Sequence, residues 1–152
     1  MHKGGISVVE IMIAIAVFLL FSISILKSVT YSYRTMSYDK QYSKALIYSQ
    51  QGLEVVRQLR DYNWNDLSSG DFGILFNENI NEWTLVADPV MVNGFTTTIF
   101  IENVYRDSSE NISEDGETLD GEILKVTSTV SYEWMPDFPK EVVTSAYLAN
   151  IR

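Results

Sequence analysis

The chain has no cysteine and only one histidine, His2. The first absence excludes disulfide scaffolds, thiolate zinc sites and cysteine nucleophiles. The second leaves any Ser-His-Asp triad or His-ligated metal dependent on a single imidazole at the second position, poor ground for nucleophilic or zinc catalysis. Proline is scarce: there are 3 in 152 residues and none in residues 27–61, so nothing there interrupts a helix. Basic charge is short as well. Lys and Arg number 11 against 20 Asp and Glu, a net charge of −9, which repels nucleic acid and anionic membrane surfaces. A length of 152 residues is one domain's worth of sequence. No enzymatic reaction and no direct nucleic-acid binding are expected.

What the chain does have is apolar sequence, 46% of it, and the informative feature is its placement. Residues 6–26, ISVVEIMIAIAVFLLFSISIL, carry one charge, Glu10. As a helix these 21 residues reach about 31 Å, which matches a hydrocarbon core of about 30 Å. From Ile11 to Leu26 there are 11 Ile, Val, Leu and Phe residues, together worth roughly −5 kcal/mol of insertion against about +3 for a carboxylate, so a membrane-spanning helix is expected despite Glu10.

In residues 27–61 apolar side chains recur at Tyr38, Tyr42, Leu46, Leu53, Val56 and Leu59, the three-and-four spacing of an amphipathic helix. The membrane helix is therefore expected to continue unbroken to about Asp61. Tyr31 and Tyr33 fall where an aromatic belt would sit, the other reading being two ordinary surface tyrosines on a helix. The stretch DYNWNDLSSGDFG then ends the helix, and the remainder reads as strands at residues 82–86, 95–105, 122–134 and 142–151, rich in Thr, Val, Ile and aromatics. The expected fold is α+β: a long N-terminal helix, membrane half plus amphipathic half, packed on a small antiparallel sheet. A simple meander is expected, with Trp83, Phe100, Val104, Val126, Val130, Trp134 and Tyr147 as its core. Charge divides at the same place. Residues 1–62 carry 7 basic and 4 acidic groups, and residues 63–152 carry 4 and 16.

The residues KGGISVVE, Lys3 to Glu10, resemble the class III signal of type IV prepilins and of the pseudopilins of type II secretion: a short basic leader ending in Gly, an apolar residue, and Glu five residues after that Gly. The resemblance covers the leader and the hydrophobic helix, and QQGLEVVRQLRDYNW further along resembles the helix end of several pilin-like proteins. It implies cleavage between Gly5 and Ile6 by a prepilin peptidase, N-methylation of Ile6, and Glu10 as the fifth residue of the mature chain, acting in assembly. It also implies self-association and association with other pilin-like subunits, a membrane platform protein as partner, and the lipid bilayer as the environment before assembly. The organisation so implied is a leader at 1–5, a transmembrane and filament-core helix at 6–26, an amphipathic half at 27–62 and a β head at 63–152. The head would lie outside the cytoplasmic membrane, then in an extracellular or periplasmic filament. The chain departs from the pattern in having Ile6 where Phe is most usual, no Pro near Lys27, and no Cys pair near the C-terminus. The physical reading of the leader agrees, since a conventional secretory signal places its cleavage site after the apolar stretch. The alternative is a single-span membrane protein whose acidic head is a binding module.

Residues 107–122, DSSENISEDGETLDGE, hold seven carboxylates. Asn111, Ser113, Asp115, Gly116 and Glu122 fit positions one, three, five, six and twelve of an EF-hand loop, and some pseudopilins bind calcium in head-domain loops. With strands predicted on both sides, the other reading is a solvated hairpin whose charges keep a sheet edge soluble. Asn111-Ile112-Ser113 is also a glycosylation sequon.

Overall fold

The structure, a computed structural model, describes residues 7–78, 81–113 and 116–151. The leader at 1–5, and with it Gly5 and Ile6, lies outside the described residues. The chain divides into two compact units, the first ending at Lys40 and the second beginning at Gln41.

One helix, α1, runs from Val8 to Tyr62. It is uninterrupted because its 55 residues include no Pro and one Gly, Gly52, so each backbone N–H finds its carbonyl one turn back. Its end is sharp. Asn63 leaves helical geometry, and its side chain accepts a hydrogen bond from the Asn65 backbone N–H at 3.2 Å, starting the single 3₁₀ turn Trp64–Asp66.

Six strands follow: β1 (Gly70–Asn77), β2 (Glu82–Val86), β3 (Val90–Val92), β4 (Phe95–Arg106), β5 (Thr118–Met135) and β6 (Phe138–Ala149). All pair antiparallel in the order β2-β1-β4-β5-β6, with β3 on β4 beyond the end of β1. The protein is thus α+β, as the sequence implies. The pairing differs from a simple meander, because β1 inserts between β2 and β4, so that the β1–β2 hairpin is attached through its first strand. The β3–β4 hairpin turns on Asn93 and Gly94, both at positive φ (53° and 82°), the conformation that a two-residue turn matching strand twist requires.

Within the second unit the sheet lays one face against the C-terminal half of α1. Alternation decides which residues face it: Leu124, Val126, Ser128, Val130 and Tyr132 of β5 are buried, while Thr127, Thr129 and Ser131 between them are partly exposed. On β4 the inward set is Phe95, Thr97, Ile99 and Ile101, until a bulge between Asn103 and Val104 shifts the parity and brings Val104 inward. Counting back from Val104 without that bulge assigns Phe100 to the core. In fact it is 39% exposed on the other face. Tyr147 is likewise displaced outward, since Val142 and Leu148 set the inward register of β6. Val104, Val126 and Val130 are core as expected, and Trp83 and Trp134 are half-buried.

Of the expected helix stripe, Leu53 and Val56 are buried and Leu46 and Leu59 pack partly buried against the core, but the small residues Ala45, Ser49 and Gly52 and also Val55 join them, and Tyr42 is exposed. Small side chains let the helix come close. A Cβ on Gly52 would lie 2.6 Å from Ser128 Oγ and 2.7 Å from Ile99 Cδ1. One turn earlier, Ser49 Oγ donates to the Ser128 carbonyl at 2.9 Å, so the 2.5 Å contact with Thr144 Oγ1 has Thr144 as donor. Ser128 Oγ is buried with no partner among the described residues.

Three substitutions test this contact by denaturant unfolding of a chain truncated to residues 27–152, which should be soluble and melt cooperatively. Gly52→Ala gains about 1 kcal/mol of helix propensity but overpacks fully buried Ile99, so a net loss of about 1 to 2 kcal/mol is expected. Ser128→Ala removes an unpaired buried hydroxyl and one of the two clashing atoms. It should be neutral or stabilising alone and should reduce the penalty of Gly52→Ala. Ser49→Ala should cost about 1 to 3 kcal/mol, because it removes at once the bonds to the Ser128 carbonyl and to half-buried Thr144.

Candidate functional site

Two regions carry the residues with chemical character, and each is built locally. The first is the start of α1. Glu10 lies in its first turn, where the backbone N–H groups of Glu10 and Ile11 both donate to the Ser7 carbonyl at 2.9 and 3.2 Å. A carboxylate there is favoured by the partial positive charge of the helix N-terminus. Around it the surface is apolar: Val8, Met12, Phe18, Leu20, Phe21 and Leu26 are each more than 60% exposed. The helix is long and apolar enough to cross a membrane, and none of its most apolar window is buried within the protein.

Hydroxyls inside this apolar run are satisfied by the helix itself. Ser22 and Ser24 donate to the carbonyls of Phe18 and Leu20 at 2.9 Å, and Thr30, Ser32 and Thr35 repeat the same four-residue link. Such bonds make a polar side chain tolerable in lipid, where no water is present to receive it. In sequence alone Ser22 and Ser24 are a weak imitation of the small-residue cleavage site that follows the apolar run of a conventional signal. Their spacing from a carbonyl four residues back is the signal for this second role.

The second region is the connection between β4 and β5. Asp107 holds it closed: Oδ1 accepts from the backbone N–H groups of Ser109 (2.8 Å) and Asn111 (2.9 Å), and Oδ2 accepts from the Asn111 amide at 3.4 Å. These bonds to the charged form, that from Asn111 first, hold the Asp107 carboxyl below its ordinary value. Asp120 is held low in the same way, first by the Glu122 N–H (2.9 Å) and then by Arg106, whose Nε lies 2.7 Å from Oδ2. Arg106 also donates to the Glu110 carbonyl, so one guanidinium ties the loop to β5.

Of the residues matching calcium-ligand positions, Asn111 is exposed and bound to Asp107, Ser113 donates its N–H to the Tyr105 carbonyl, and Glu122 is exposed on β5. Asp115 lies outside the described residues. Among the described residues no group of three or more His, Cys, Asp or Glu side chains is arranged to hold a metal ion. Strands flank the loop, as expected for a hairpin. Comparison with protein-family models, with characterised proteins and with solved structures returns no match. The arrangement of a long apolar N-terminal helix with an antiparallel sheet is compatible with a pilin-like fold.

Because Asp107 and Asp120 have lowered folded-state values, their contribution is complete above the unfolded value near 3.8 and disappears as pH falls through the folded values below it. Thermal melts of residues 27–152 should therefore fall below about pH 4. Asp107→Ala and Asp120→Ala should melt lower than the parent at pH 7, and the gap should narrow as the pH is lowered past 3.8 through the folded values. The same melts with excess calcium and with chelator separate the two loop readings. A ligating loop raises the melting temperature by linkage, and a solvated hairpin gives superimposable curves.

Proposed function

We propose that this chain is a structural subunit, a pilin or pseudopilin, of a type IV pilus-like filament. In this reading prepilin peptidase cuts after Gly5, the helix holds the mature subunit in the membrane with its sheet domain outside the cytoplasm, and a platform protein passes it into a helical filament with copies of itself and related subunits. No reaction is assigned to it. The observation that carries the reading is Glu10: one carboxylate in the first turn of a helix whose next 16 residues are otherwise an exposed apolar surface.

A membrane anchor alone needs no such carboxylate, whose cost would reach about 3 kcal/mol if it were drawn to the bilayer centre. A filament explains it. When the apolar helices bury against one another, the Glu10 carboxylate needs a cation, and the amine at Ile6 freed by cleavage is the nearest one the mature chain offers. Lys27, the next along the same helix, is about 25 Å away. Pairing Glu10 of one subunit with the amine of its neighbour would set their axial register and make assembly depend on processing.

The test has two parts. Peptide analysis of sheared surface filaments should recover an N-terminus at Ile6, and assembled protein still carrying His2 and Lys3 would overturn the reading in favour of a membrane-anchored binding module. Glu10→Val should insert into membranes at least as well as the parent while its share in filaments falls, and Glu10→Gln should be nearly as harmful if charge is the operative property. Undiminished incorporation of Glu10→Val would discard the pairing.

A further inference from the structure

Lys27, Tyr31 and Arg34 follow the apolar run at intervals of four and three, so they share one stripe of α1. With Ile23, Leu26 and Thr30 they border a shallow groove of about 380 Å³, apolar below and cationic above. Thr30 has its hydroxyl turned to the Leu26 carbonyl at 2.9 Å, and Tyr31 is 73% exposed. Neither Lys27 nor Arg34 forms an ion pair among the described residues, and Asp39 is the one carboxylate in the sequence between Glu10 and Glu54.

We propose that this face binds the headgroups of anionic phospholipids at the surface of the membrane that α1 enters. The proposal rests on the reading of residues 8–26 as a membrane span. With that span in the hydrocarbon, Lys27 stands at its edge and Arg34 about 10 Å farther out. The headgroup layer is about 5 to 7 Å thick on each side. Side chains on a helix lean toward its N-terminus, which here means back toward the bilayer, so both cations are aimed at the phosphate level. The guanidinium of Arg34 suits bidentate contact with a phosphate, Lys27 adds a point charge, and a tyrosine between them sits where tyrosines favour the interface. The net charge of −9 does not oppose this, because charges farther than about 8 Å are screened at physiological salt.

The test uses the full chain in phosphatidylcholine nanodiscs containing trace spin-labelled phosphatidylglycerol or spin-labelled phosphatidylcholine, reading the motionally restricted fraction of each probe. The anionic probe should be preferred by about fivefold for each of the two cations at low salt, the equivalent of about 1 kcal/mol per basic residue, and the preference should shrink in 0.5 M salt. Lys27→Gln with Arg34→Gln should bring the ratio to about one, and Lys40→Gln with Lys44→Gln should leave it unchanged. Ten millimolar inorganic phosphate should not displace the lipid, and displacement would make this a site for free phosphate instead. An inserted chain with no anionic preference, or with one the Lys27/Arg34 pair does not alter, overturns the proposal alone. A chain that does not enter the nanodisc overturns the membrane-span reading and the proposal together.

Discussion

The close approach of α1 to the sheet at Gly52 is the constraint on which the sheet domain depends. A sheet of six strands presents Ile99, Ile101, Val126 and Val130 on one face, and these need a covering layer that the strands themselves do not supply. The layer is a single helix, so contact depth substitutes for contact area. Ala45, Ser49 and Gly52 bring the helix near enough for Leu53 and Val56 to enter the cluster formed by Ile99, Ile101, Leu124, Val126 and Leu148. Ser49 then fixes the axial position, since its hydroxyl meets a β5 carbonyl and a β6 hydroxyl at once. The isolated hydroxyl of Ser128 is what this closeness leaves behind: Ser49 takes the carbonyl of the same residue, and Gly52 has no side chain to answer.

Apolar surface is used in two different ways along the same helix. In the stripe from Ala45 to Val56 it is buried within the chain, and the partners are identified. From Val8 to Met36 large apolar side chains such as Phe18, Phe21, Val29 and Met36 are exposed, a display that water does not tolerate at this scale. Lipid would relieve it, and in the proposed filament so would copies of the same helix. In the proposed function one subunit would occupy both in succession, because in either the apolar side chains meet hydrocarbon and van der Waals packing decides between them.

The helix, its end near Asp61 and four strands, β2, β4, β5 and β6, were legible because each follows from a strong local rule: no proline, a turn-rich break, and β-branched runs. β1 was not, because its first residues, Gly70 to Gly73, belong to the turn-rich stretch that ends the helix. β3 was also legible, and it was missed. Asn93-Gly94 between Val92 and Phe95 is the turn pair that most strongly marks a two-residue hairpin. The insertion of β1 between β2 and β4 was not legible, since strand order depends on which edges meet in space. Side-chain facing failed at Tyr147, which the register of Val142 and Leu148 turns outward, and at Phe100 on β4. The bulge at Asn103/Val104 changes parity within β4, and alternation counted across it put Phe100 inside. Large aromatics on the helix were also overvalued, for a sheet pressed close to a helix selects Ala, Ser and Gly at the contact. In the β4–β5 connection the acidic composition was plain, but composition did not reveal that Asp107 and Asp120 already serve backbone N–H groups and Arg106.

The absence of proline near Lys27 bears on how such a helix changes environment. A proline there would remove one helical hydrogen bond and open a carbonyl, giving the helix a fixed weak point. In α1, instead, five of the Ser and Thr hydroxyls between Ser22 and Thr35 are each bonded to a carbonyl four residues earlier that also serves the helix backbone. Sharing a carbonyl in this way slightly weakens and bends a helix without leaving any group unsatisfied. The effect is spread over about four turns and is compatible with lipid at every step, since no backbone group is exposed to hydrocarbon. In the proposed function a subunit drawn from a bilayer into a filament would pass through both settings. A helix softened by hydroxyls can adapt to each while keeping its backbone bonds, which a helix broken at one residue cannot do.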